Sequence, residues 1–178
     1  VDLDMLACAA PNGTNVIRIR SEGYPPLEIE LDDLSVRQEE QNTSAALVRG
    51  VAAKVRELGY SLSGFDAYAV STVLSGSGLS SSAAYETLVG NILNHFCCGG
   101  ALDAITIAKI GQYAENVYFG KPCGLMDQMG SSVGGAVFID FNDPADPVVE
   151  RVDYDFSKSG YALCIVDTGS SHGDLTDD

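Results

Sequence analysis

Ser75-Gly76-Ser77-Gly78-Leu79-Ser80-Ser81-Ser82-Ala83-Ala84 lies between an apolar, strand-like run (65–74) and a helical stretch, roughly 82–98. The order it dictates is strand, small-residue turn, helix. Glycines let the backbone approach a ligand closely, and successive N–H groups ahead of a helix N-terminus attract anions. The three serines add hydroxyls that can cap the helix, bind phosphate oxygens or ligate a metal. A flexible turn followed by a Ser-capped helix accounts for the stretch equally well. No Lys follows the glycines as in the common phosphate loop, and no Gly-x-Gly-x-x-Gly string is present.

Upstream of this turn the chain alternates. Val16, Ile17, Arg18, Ile19 and Arg20 read as a half-exposed strand, as do Leu27, Ile29 and Leu31 with Glu28, Glu30 and Asp32 between them. Asn12-Gly13 signals a hairpin back to an opening strand over 1–10, so an antiparallel meander with one wet face is expected. From Ser44 the period changes. Leu47, Val48, Val51, Val55 and Leu58 recur at helical spacing before Gly59.

Downstream, helices are expected over 82–98 and 103–118, split by Gly99-Gly100, with a short helix starting near Gly124. Strands follow over 136–141, 148–154 and 161–167. Strands and helices in separate blocks predict an α+β fold, one sheet with helices on one face.

The chain has 178 residues and a mass of 18.7 kDa, which fits a single domain, and 46% apolar residues supply a full core. A net charge of −15, with acidic residues spread along the chain, argues against nucleic acid and anionic membrane surfaces as partners. No apolar run reaches the roughly 18–20 residues of a membrane span. Cys8, Cys97, Cys98, Cys123 and Cys164 form no disulfide framework, so a reducing cytoplasm is expected. His95, Cys97 and Cys98 match no zinc spacing and read as the end of a helix.

A second constellation runs from Ala114 to Gln128. Glu115 ends one helix and Asp127 sits in the first turn of the next, across a Gly/Pro bend, so both carboxylates can face one cleft. Asp127 complementing a helix N-terminus and Glu115 in solvent is the plainer alternative.

Together, Gly78-Leu79-Ser80-Ser81-Ser82-Ala83 and Gly120-Lys121-Pro122-Cys123-Gly124-Leu125-Met126-Asp127-Gln128 resemble the galactokinase branch of the GHMP small-molecule kinase family. The resemblance implies that family's N-terminal domain, a ribosomal protein S5 domain 2-like fold with a mixed or antiparallel sheet. It also implies ATP as substrate, Mg2+ as cofactor, and phosphorylation of the anomeric hydroxyl of galactose. Gly76, Ser77, Gly78, Leu79, Ser80, Ser81 and Ser82 would then surround the nucleotide phosphates. Ser81 and Glu115 would hold the magnesium, Asp127 would be the catalytic residue beside the reacting hydroxyl, and Gly124 a backbone contact to the sugar. Two departures stand out: Leu74-Ser75 replaces the Pro usual before the glycines, and the family's first motif and Gly-rich C-terminal motif are absent. Residues 1–178 are therefore expected to be one domain cut at both ends and inactive alone. A non-catalytic sugar sensor is the alternative within the resemblance. Asp167-Thr168-Gly169 carries an aspartic-protease signature, but its chemistry needs two such aspartates and the chain has one copy.

Overall fold

Alternating strands and amphipathic helices assemble, in a computed structural model that describes residues 3–73, 75–162, 164 and 166, into a mixed sheet covered by helices on one face. The strands are β1 (Met5–Pro11), β2 (Val16–Ser21), β3 (Leu27–Glu30) and β4 (Phe65–Ser71), in the order β1-β4-β2-β3. The helices are α1 (Ser44–Glu57), α2 (Ser81–Cys97), α3 (Ala104–Tyr113) and α4 (Met126–Val133). A π-helical segment, Ala114–Phe119, continues α3.

The expected meander does not form. β4 inserts between β1 and β2, antiparallel to the first and parallel to the second. The turn after β1 therefore spans two strand spacings, about 10 Å, instead of closing a hairpin. Hydrogen bonds hold it open: Asn12 N–H donates to the Gly64 carbonyl at 3.3 Å, and Gly64 N–H donates to the Thr14 carbonyl at 2.9 Å. β2 reaches its parallel neighbour through β3 and α1, the long crossover that parallel pairing requires.

Alternation decides which sheet face meets the helices. Ile17, Ile19, Ile29, Phe65 and Ala69 turn inward, while Leu6, Tyr68 and Val70 stay exposed on the opposite face. Leu47, Val48, Val51, Ala52 and Val55 of α1 pack against the inward set, whereas Leu58 caps the helix and is exposed. Burying each large aliphatic or aromatic side chain of this kind contributes about 1.5–3 kcal/mol.

Arg49, 1% exposed, fixes the loop ahead of α1. It donates to Glu40 Oε2 at 2.7 Å, to Glu40 Oε1 at 2.6 Å and to the Asp33 carbonyl at 2.6 Å.

The last strands depart from the single-sheet expectation. β5 (Ala136–Asp140) and β6 (Val148–Val152) pair with each other, antiparallel, as a separate two-stranded sheet. Of the strand expected over 161–167, the described Tyr161, Ala162, Cys164 and Val166 belong to no strand, while residues 163, 165 and 167, the string Asp167-Thr168-Gly169 and His172 lie outside the described residues. None of the described helices is long and apolar enough to cross a membrane.

One close approach links the core to the far end of the helical layer. Gly50 of α1 lies so near the π segment that a Cβ there would come 2.7 Å from both Ala114 Cα and Ala114 Cβ. Gly50→Ala is therefore expected to destabilise the fold by about 1–3 kcal/mol, the usual cost of overpacking. A lowered urea midpoint with an unchanged m-value would report it.

Candidate functional site

The turn between β4 and α2 is built from left-handed backbone. Gly76 has φ 73°, Gly78 has φ 75° and Ser80, a residue with a Cβ, has φ 56°. Such a φ is uncommon outside glycine. Ser80 occupies the cap position of α2 but makes no side-chain cap. Its hydroxyl instead donates to Asp127 Oδ2. The helix start is therefore left uncapped by the Ser80 side chain, the local chemistry of an anion site.

Asp127 is exposed and is the second residue of α4. Two residues beyond Ser80, the Ser82 hydroxyl donates to Glu115 Oε1 at 3.0 Å. The structure thus brings both expected carboxylates to the serine loop, each on its own serine. It also decides which serine meets Glu115. Consecutive residues of a helix point about 100° apart, and Ser82 is the one whose hydroxyl meets Glu115. Ser81 lines a neighbouring cavity of about 240 Å3 with Ser71, Ser75, Tyr85 and Phe119, and Ser82 reaches that cavity as well.

Glu115 is only 4% exposed, so it is no solvated helix end. It belongs to the π segment. Wider π turns displace side chains from the α register and are frequent at functional positions.

The chain between Glu115 and Asp127 is held from both sides. Cys123 N–H donates to Asn116 Oδ1 at 2.7 Å, and Gln112 donates to the Cys123 carbonyl at 3.2 Å. Burial, reinforced by the Glu115 charge, pushes the Cys123 thiol up to about 12, so it stays neutral. Gly124 follows with nothing within 4 Å of where a Cβ would stand, leaving its backbone open on that side.

Two further residues complete the cluster, and neither was singled out from the sequence. Gln128 is 1% exposed and donates to Glu115 Oε2 at 2.8 Å and to Glu86 Oε2 at 3.2 Å. Glu86, also 1% exposed, lies four residues after Ser82 on the same face of α2. That spacing was the available signal, but an isolated Glu on a helix ordinarily reads as surface charge. Among the described residues no cation pairs with Glu86, Glu115 or Asp127.

Burial first, and the Glu115 charge second, push the Glu86 carboxyl up from its ordinary 4.5 to about 9, with the Gln128 hydrogen bond opposing. The folded chain then keeps a proton that the unfolded chain releases. Its stabilising contribution is complete below about pH 4.5 and is lost as pH rises toward about 9. Urea midpoints taken across this window should fall with pH more steeply for the native chain than for Glu86→Gln, which has no such proton to lose.

Residues 46–135, half of the chain, match the family model described as GHMP kinases N terminal domain. A galactokinase from Streptomyces coelicolor is 34% identical over 172 residues, covering 94% of this chain and 43% of that protein. Galactokinase from Lactococcus lactis, solved in complex with galactose, superposes with a TM-score of 0.72 at 24% identity, over 86% of this chain and 40% of that one. A D-glycero-D-manno-heptose 1-phosphate kinase superposes with a TM-score of 0.69 at 16% identity, over 86% of this chain and 49% of that one. The chain therefore spans less than half the length of these relatives. The likeness of fold agrees with the α+β expectation of a mixed sheet carrying helices on one face. Since the matched span takes in the serine loop, Glu86, Glu115 and Asp127, the chain belongs to the GHMP kinase family.

Proposed function

We propose that the complete polypeptide is an ATP-dependent sugar kinase that phosphorylates the anomeric hydroxyl of galactose. The observation that carries this reading is the paired seating of the loop, Ser80 on Asp127 and Ser82 on Glu115. It sets an anion-binding helix start between an exposed carboxylate and a buried one. Gly76, Ser77, Gly78, Leu79, Ser80, Ser81 and Ser82 supply amides and hydroxyls to the nucleotide phosphates, and the cavity beside Ser81 gives the nucleotide room. Galactose is the sugar that the curated relative's name supports.

Asp127 faces the sugar. It orients the anomeric hydroxyl and accepts its proton as that oxygen bonds to the γ-phosphorus and the bridging oxygen leaves with ADP. Positioning and charge neutralisation supply most of such catalysis. Gly124, open on its Cβ side, lets a sugar approach the backbone next to Asp127.

Magnesium fits the oxygen set present. Ser82 Oγ and Glu115 Oε1 lie 3.0 Å apart, and Glu115 has no cationic partner among the described residues. Hard oxygen donors, one or two from protein and the rest from phosphates and water, are what this ion prefers. Ser82, already bonded to Glu115, thus joins Ser81 as a serine that would hold it. Glu115 and Ser82 would hold magnesium, which would supply positive charge against the nucleotide phosphates, while Ser80 holds Asp127 toward the same loop.

In the complete polypeptide, Asp127→Asn keeps the side chain's size but loses the charge that draws the proton. The kcat for galactose-dependent ADP release should fall by about two to four decades, while KM for ATP moves much less. Near-native turnover in a folded Asp127→Asn variant would sink the assignment. Ser82→Ala should instead raise the magnesium concentration needed for half-maximal rate, which a metal titration of the same assay reads.

A further inference from the structure

Glu86 takes no part in the reading above, yet the fold makes considerable room for it. A Cβ on Gly111 of α3 would lie 3.0 Å from Glu86 Oε2, 3.1 Å from Glu86 Cβ and 3.2 Å from Gln128 Cγ. The floor of the cluster is bare backbone, and the space above it is occupied by an acid and an amide. Burying a carboxyl without a cation is costly, and it is tolerated where hydrogen bonds and a proton compensate.

The partners are unevenly matched. Gln128 Nε2 bridges Glu86 and Glu115, whereas Glu86 Oε1 and Gln128 Oε1 are both buried without a hydrogen-bond partner among the described residues. Two orphaned acceptors on two side chains that already share a bond point to a missing proton between them. A neutral acid supplies it: Glu86 accepts from the amide on Oε2 and offers O–H on Oε1 toward the carboxamide oxygen. The amide is then fixed in the flip that leaves its second N–H for Glu115.

We propose that Glu86 is a positioning residue which, acting through the Gln128 carboxamide, fixes the Glu115 carboxylate toward Ser82. Ser82 and Glu86 stand on one face of α2, so the helix that offers the serine also carries the residue that orients the serine's carboxylate. The proposal rests on the reading of Ser82 and Glu115 as the metal-holding pair. Partners of this kind, one shell behind a ligand, set metal affinity without touching the ion.

The test titrates Mn2+ alone into the 178-residue chain, with binding read by water-proton relaxation, and follows the Gln128 side-chain amide signals by NMR without metal. Glu86→Gln imitates the neutral acid and should keep both the Mn2+ affinity and the slowly exchanging Gln128 signals. Glu86→Leu fills the space without hydrogen bonds and should weaken Mn2+ on the order of tenfold while the Gln128 signals lose their protection. Glu86→Asp, which draws the carboxyl back by one methylene, should shift both readouts in the same direction and stands in if the Leu variant does not fold. A folded Leu variant with native affinity and native Gln128 signals overturns the proposal, as does a Gln variant no better than Leu. Ser82→Ala and Glu115→Gln test the metal pair separately. If neither alters Mn2+ binding, the metal reading has failed, and the Gln128 signals alone decide for or against positioning by Glu86.

Discussion

Two serine hydroxyls, two residues apart, each donate to a carboxylate from a different part of the chain, and much of the helical layer is arranged to let them do so. Ser80, with its left-handed backbone, reaches Asp127, and Ser82 reaches Glu115 of the π segment. Gly50, pressed against Ala114, sets how close the segment lies to α1. Gly111 leaves the space that Glu86 and Gln128 fill. A hydroxyl-to-carboxylate hydrogen bond contributes modestly to net stability, roughly 1.5–3 kcal/mol when one partner is charged. Its larger effect is directional, since two such bonds fix the rotation of α2 about its own axis.

The acidity of the chain takes on a definite meaning beside this geometry. Arg49 is buried with Glu40, Arg18 serves Glu28 and Asp66 on the outer sheet face, and Lys54 pairs with Glu57. None of these cations serves the serine loop. Among the described residues, what the loop itself presents to an anion is backbone amides and hydroxyls.

How far the sequence could be read follows from what each residue displays locally. The periodicities of β2, β3 and α1 and the glycine pair after α2 were legible because a buried face imposes its own spacing. The resemblance of the serine loop and the Pro122–Gln128 string pointed to the family and to Asp127 and Glu115 as partners of one site. The strand order was not legible. Nothing in 1–31 announces that 65–71 will enter between β1 and β2, because sheet order is settled by distant residues such as Phe65 and Ala69 finding the helices. That Ser82 makes the hydrogen bond to Glu115 depends on helix phase relative to a π segment that no pattern signals. Glu86 was missed for a related reason: a charge is read as solvated until a neighbouring helix proves to lack side chains there.

The π segment also makes the spacing between the two halves of the site a matter of residue count. An α turn holds 3.6 residues, and a π turn accommodates one more without lengthening the helix appreciably. Ala114–Phe119 therefore behaves as an insertion already absorbed by the fold. Removing a single residue there leaves a regular α-helix, the arrangement such helices adopt most readily. The helix would still form, the residues beyond it would keep their places and α1 would still have a partner. The side chains inside the segment, Glu115 among them, would return to the α register and lose the position opposite Ser82. In most helices a one-residue deletion announces itself as lost stability. In this one it should pass through a soluble, helical and well-folded chain and appear only as silence at the site.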